Sequence, residues 1–241
     1  MHGYYSHISA LDDCLKIILQ SLKINHLEDK TIVIFTSDHG DMIFSHGLTR
    51  KLFPFEESVR VPLIIRDPSL NHLAGKQCNA PVDAPDLMPT ILGLANLKQE
   101  DKLQGQDWSK VIRGIKPEKD TDAGFLSAPV SSGPLKMYGV QAYRGVRTSQ
   151  HTYVRNESDS WLLFDNLNDP FQMNNLIKKR SAKGIKDDLE QLLRIKLNDL
   201  NDNFEGSDQI IAKYNLQQHV KNTGLANKAP WSYPWGTESE N

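Results

Sequence analysis

The sequence predicts a mixed α/β fold followed by an antiparallel sheet with a helix, and three patterns carry that prediction. A helical stripe over residues 4–25 runs through a short loop into an apolar strand at 31–35. From about residue 124 onward, short strand-like runs follow one another with no helix pattern among them. Residues 185–204 then repeat leucine at helical steps. Helix, loop and buried strand in succession is the rhythm of an α/β domain, whereas consecutive strands pair antiparallel.

The elements follow in order. Tyr5, Ile8, Leu11, Leu15, Ile18, Leu19 and Leu22 recur at three- and four-residue steps, the spacing of one helix face. Cys14 lies inside that pattern and is expected to be a small core residue, and Asp12 and Asp13 to be solvated helix charges, with Asp13 or His7 facing a site as the alternative. The run 31–35 has no polar alternation, which suits a central strand of a parallel sheet covered on both faces. Residues 61–66 are its clearest companion. Few other strands accompany them, so residues 1–100 read as the later portion of a larger α/β domain. Phe53 and Phe55 are expected packing anchors, and Glu56, Glu57 and Arg60 a structural charge cluster. Residues 83–97 read as a helix capped by Asp83 or Asp86, with Leu87, Ile91, Leu94 and Ala95 as its stripe. The charged segment 98–122 suggests a boundary, dividing the chain into 1–115 and 116–241. Beyond it, 124–127, 137–147, 152–155 and 161–164 are the expected strands, and Leu189, Leu192, Leu193, Leu197 and Leu200 mark the helix. Residues 205–241, with Pro230, Trp231, Pro234 and Trp235, form a polar tail that either wraps the domain or lacks order.

Composition excludes several functional classes. With 241 residues, a net charge of -2, 39% apolar and 24% charged residues, the chain is ordinary for a globular protein. The balanced charge offers nothing to nucleic acid, and no stretch approaches the roughly 18 apolar residues of a membrane span. Neither Cys14 nor Cys78 sits in a metal-binding cysteine pair.

The chemistry concentrates where the first strand ends. Asp38, His39 and Gly40 follow it directly, and His46 and Lys51 lie within the next loop. Ligands of open α/β sheets bind beyond the carboxyl ends of strands. A carboxylate, an imidazole and an ammonium brought together there suit an anionic substrate beside a divalent metal. Asp38 would be an oxygen ligand to the metal, and His39 would ligate it or hydrogen-bond the substrate oxygen bound there. Lys51 would neutralise an oxygen of a sulfate or phosphate as charge develops. His46 would donate a proton to the leaving oxygen or orient the anion, and is otherwise a loop histidine. Asp41 is a weaker candidate.

At these residues the chain resembles the sulfatases of the alkaline-phosphatase-like superfamily. The resemblance rests on TSDHGDMIFSHG followed by KLFPFEESVRVPLIIR, on VDAPDLMPTILGLANL, on GQDWSKVIRG, and on YRGVRTSQHTYVRN with LLFDNLNDPFQMNNL. These segments cover most of residues 4–200. The resemblance implies the later part of an alkaline-phosphatase-like sandwich domain with a smaller C-terminal subdomain of antiparallel sheet and helix. It implies that Asp38 and His39 match a metal-ligand pair, where many members have Asp-Asn. It further implies that Lys51 contacts sulfate and the nucleophile, and that the metal is calcium. The nucleophile of such enzymes is a formylglycine made from Cys or Ser in a C/S-x-P-x-R motif, and no such motif occurs in these 241 residues. The paired Asp ligands of the family's opening strand are also missing, leaving two of four expected protein ligands.

The expectation is therefore a sulfuric ester hydrolase seen as its C-terminal half, inactive alone, whose complete form takes a sulfated small molecule or sulfated glycan. A phosphonate or phosphodiester hydrolase of the same superfamily is the first alternative. A non-catalytic chain that needs a complementing chain or self-association to finish its sheet is the second.

Overall fold

A computed structural model describes residues 2–78, 80–99, 103–115 and 123–218. The first helix, α1 (His2–Ile24), forms where the stripe predicts it, and none of its residues is buried. Tyr5, Leu11, Ile17, Ile18 and Cys14 all face outward. The core role expected of Cys14 is thereby corrected: helical period sets which side a residue occupies, but burial needs a neighbour on that side. His7 and Asp13 are exposed as well.

A 3-10 turn at Glu28–Lys30 leads into β1 (Val33–Thr36), and β2 (Leu63–Arg66) follows after the short helix α2 (Glu56–Val59). The two strands pair antiparallel, with Val33 opposite Arg66 and Thr36 opposite Leu63. The expected parallel sheet is thus not what pairs them, and they form a two-stranded ribbon. Phe35 is 41% and Ile64 61% exposed, so the doubly covered central strand is corrected too. An unbroken apolar run shows what a strand can bury, not what lies over it.

The segment after β2 folds around a carboxylate. A 3-10 turn at Ala84–Asp86 opens α3 (Leu87–Leu94), and α4 (Ser109–Ile112) packs beside it. Asp86 is buried and accepts hydrogen bonds from the Asp83 amide (2.9 Å), the Gln106 amide (2.7 Å) and the Trp108 indole (2.8 Å). Of the two aspartates expected as caps, Asp86 thus uses its carboxylate on the Asp83 amide, and Asp83 supplies the backbone carbonyl that the Asp86 amide meets at 3.0 Å. Of the expected stripe, Leu94 is buried but Ile91 and Ala95 are exposed, while Pro89 and Thr90 point inward.

From residue 123 the expected antiparallel sheet appears as a four-stranded meander: β3 (Ala123–Ala128), β4 (Tyr143–Thr148), β5 (His151–Asn156) and β6 (Ser160–Asp165). The strand expected over 137–147 begins only at Tyr143, because the helix α5 (Gly133–Met137), with proline in its first turn, and the turn that ends it precede the strand. Gly139, at φ 70°, ends that helix, and Val140 donates back to the Leu135 carbonyl at 2.8 Å. The sheet buries both faces. On one, Ala123, Val146, Tyr153 and Leu163 pack under Leu189 and Leu193 of α6 (Lys183–Asp199). On the other, Tyr143, Val154, Leu162 and Phe164 pack against Met42, Leu48, Phe53 and Phe55. One apolar cluster therefore joins the loop after β1 to the sheet. A last helix, α7 (Ser207–Lys213), follows, and the tryptophans expected in the tail lie outside the described residues.

Candidate active site

The loop between β1 and α2 is built backward from close contacts. Gly40 is required: a Cβ there would collide with the Glu57 carbonyl, and its amide donates to the Ser58 carbonyl at 2.9 Å. That approach turns the chain sharply after β1 and sets His39 beside the segment returning from Lys51. Asp41 caps a turn by accepting the Ile43 amide at 3.0 Å.

Three of the four sequence-predicted residues meet there. The Asp38 carboxylate is 81% exposed, and its Oδ2 lies 3.3 Å from Nε2 of His39. Its other oxygen accepts the His39 amide at 2.9 Å. Desolvation pushes this carboxyl upward, but the hydrogen bond from the His39 amide and the nearby Lys51 ammonium outweigh it, so it sits below its ordinary value. The Lys51 ammonium stands 2.6 Å from His39 Nε2, and His39 Nδ1 stands 2.7 Å from the Gly40 carbonyl. A carbonyl can only accept, so these partners assign the proton to Nδ1 and leave the lone pair on Nε2. One imidazole lone pair, one ionised carboxylate oxygen and one ammonium therefore face the same point.

His46 is placed differently. Its side chain is 1% exposed, its ring stacks on Phe55 at 4.2 Å, and Glu57 Oε1 is 3.8 Å from Nε2. Neither ring nitrogen has a hydrogen-bond partner among the described residues. Its backbone is left-handed at φ 54°, as is that of Phe44.

Several contacts that hold the loop carry no signal in the sequence. Glu56 pairs with Arg60 at 3.7 Å, as the charge cluster suggests. Its shorter contacts are with Arg147 on β4, at 3.0 and 2.9 Å, 91 positions away. The Glu56 amide donates to Gln172 in the turn after β6 at 2.9 Å, and Gln172 is itself buried. Tyr143 on β4 donates to the Leu52 carbonyl at 2.8 Å. A tyrosine in a strand reads as packing, and only the fold shows the hydroxyl's target.

As a metal centre the arrangement is partial. The carboxylate of Asp38 and the lone pair of His39, which accepts the Lys51 ammonium here and would have to be released by it, fit a divalent cation by donor chemistry and by their 3.3 Å separation. Among the described residues, no group of three or more His, Cys, Asp or Glu side chains gathers to complete a shell. No described helix is long and apolar enough to cross a membrane.

Residues 45–199 match the family described as N-sulphoglucosamine sulphohydrolase, C-terminal. The chain is 36% identical over 218 residues to an ulvan-active sulfatase of Formosa agariphila, covering 89% of this chain and 42% of that protein. A structure solved with its substrate D-glucosamine-2-N,6-O-disulfate superposes with a TM-score of 0.68 at 28% identity, covering 81% of this chain and 40% of the other. The phosphonate monoester hydrolase of Agrobacterium radiobacter superposes with a TM-score of 0.69, also at 28% identity, over 81% of this chain and 41% of the other. The chain spans less than half the length of the relatives it matches.

Proposed function

Because the chain belongs to the sulfatase family, we propose that it forms the metal- and anion-binding part of a sulfuric ester hydrolase. The observation that carries this reading is the convergence of Asp38, His39 and Lys51 within hydrogen-bonding reach at the end of β1. In this reading Asp38 and His39 hold a divalent cation, calcium by resemblance, which would draw charge from the sulfate oxygens. Lys51 pairs with a sulfate oxygen and stabilises the charge that grows as the S–O ester bond breaks. His46, with its ring sealed beside Phe55 and Glu57, acts by holding the loop rather than by touching substrate. The nucleophile, a formylglycine by family resemblance, comes from a further segment or chain. The outward apolar side of α1 and the exposed Phe35 and Ile64 of the β1–β2 ribbon suit the docking of such a segment.

The substrate class we propose is a sulfated sugar. Support comes from the ulvan-active sulfatase and from the neighbour solved with a glucosamine disulfate. A phosphonate ester is the second reading, favoured by the Agrobacterium enzyme's equal superposition. Titration calorimetry with calcium, inorganic sulfate and methylphosphonate tests these assignments. Calcium and sulfate should bind the wild-type chain. Asp38→Asn should lose calcium, and Lys51→Ala should weaken sulfate roughly tenfold or more, the effect of removing one charge-assisted contact. Methylphosphonate binding tighter than sulfate would favour the second reading, and variants that bind like wild type would sink both.

A further inference from the structure

We propose that Tyr143 is a positioning residue for Lys51, acting from the four-stranded sheet through the Leu52 carbonyl. Lys51 lies between two left-handed residues, Arg50 at φ 70° and Leu52 at φ 82°. Neither is glycine, so the conformation persists only because surrounding groups hold it. Those groups can be named. The Met42 amide donates to the Arg50 carbonyl at 2.8 Å. The Leu52 amide donates to Ser58 Oγ at 3.1 Å, and the Leu52 carbonyl accepts the Tyr143 hydroxyl at 2.8 Å. Thr49 Oγ1 and the Tyr138 hydroxyl are 3.1 Å apart.

Tyr143 and Ser58 are both buried, but Tyr143 also sits in the apolar cluster that contains Phe53 and Phe55, so the sheet fixes its ring on several sides. Burial also pushes its phenol well above the ordinary range, so the hydroxyl keeps its proton and remains a donor. Without that donor, only the Ser58 contact would hold Leu52 at positive φ, and its peptide would turn to negative φ more readily. The turn would carry the neighbouring Lys51 away from His39 Nε2. The significance for catalysis rests on the sulfate role proposed for Lys51, but the geometric assignment does not.

The test therefore reads Lys51 directly. Acylation of Lys51 in the purified chain is timed by peptide mass spectrometry in wild type, Tyr143→Phe, Ser58→Ala and Tyr153→Phe. Tyr153 is the control: a buried tyrosine on the adjacent strand whose hydroxyl faces Ser160 and Glu190 instead. Tyr143→Phe should label Lys51 about fivefold faster, a factor equivalent to about 1 kcal/mol. Ser58→Ala, which frees the Leu52 amide, should act in the same direction. Tyr153→Phe should lower the melting temperature by a similar amount and leave Lys51 labelling unchanged. Wild-type or slower labelling in Tyr143→Phe would overturn the proposal, as would equal acceleration by Tyr153→Phe. Sulfate is absent from this assay, so failure of the sulfate reading would leave its result standing.

Discussion

Ile18 and Val154 are both apolar residues in strongly periodic segments, and the fold treats them oppositely. Val154 is fully buried between β5's neighbours and the site loop, whereas Ile18 on α1 is 56% exposed. The same contrast separates the two regions. In β3–β6 each face of the sheet has a partner: α6 on one side and the Met42–Phe55 loop on the other. In α1 and the β1–β2 ribbon the local structure is equally regular but buries no apolar side chain fully and carries Leu11, Ile17, Ile18, Phe35 and Ile64 outward. The difference teaches that period specifies an element and its apolar side, while burial depends on what reaches that side. It also locates the site, which sits at the end of a strand in the open region but is held by the packed one.

The largest expected effect comes from the side chain that joins the two. Phe53 is fully buried and meets Tyr138 edge-on at 5.6 Å. Phe53→Ala should cost about 3–5 kcal/mol in urea unfolding, the range for a large core side chain replaced by alanine. A loss below about 1 kcal/mol would mean that the loop and the sheet are not packed together as described.

A smaller effect, dependent on pH, probes the contact between the α3 turn and β3. Asp83 Oδ2 accepts the Phe125 amide at 2.7 Å, and Gly124 leaves the space that the carboxyl occupies. Desolvation raises its pKa to about 6 from 3.8; the Phe125 amide opposes this and the Asp86 charge adds to it. The folded state thus favours the protonated carboxyl. That contribution is fully present below the unfolded pKa and is lost as pH rises through about 6. Asp83→Asn should therefore match wild type near pH 4 and exceed it at pH 8 by up to about 3 kcal/mol. Thermal melts at the two pH values measure this, and an equal difference at both would refute the assignment.

The smallest effect sharpens the comparison itself. Ile18→Ala should change stability by no more than about 0.5 kcal/mol, as expected for an exposed position. A cost like that of a core deletion would show that α1 is covered in solution.

How much of this was legible in the sequence can be argued from particular residues. The helix stripe of α1, the four short strands and the leucine repeat of α6 are local patterns, and each produced its element within a few residues. The strand expected at 137–147 failed at its start because Pro134 suits the first turn of a helix and Gly139 its termination. Asp38, His39 and Lys51 were legible because they lie within one loop of 14 positions. His46 shares that loop, but a ring's direction depends on φ, and its left-handed backbone turns it toward Phe55.

The sequence by itself determined the elements, the family motifs and the identity of the charged groups beyond β1, because these depend on near neighbours along the chain. Only the tertiary structure decided that β1 and β2 run antiparallel, that α1 faces outward, and that Arg147, Gln172 and Tyr143 hold the site loop. Those contacts join residues about 90 or more positions apart in the chain. Spacing along a chain carries no information about a partner that distant, and the packing of one element on another supplies it.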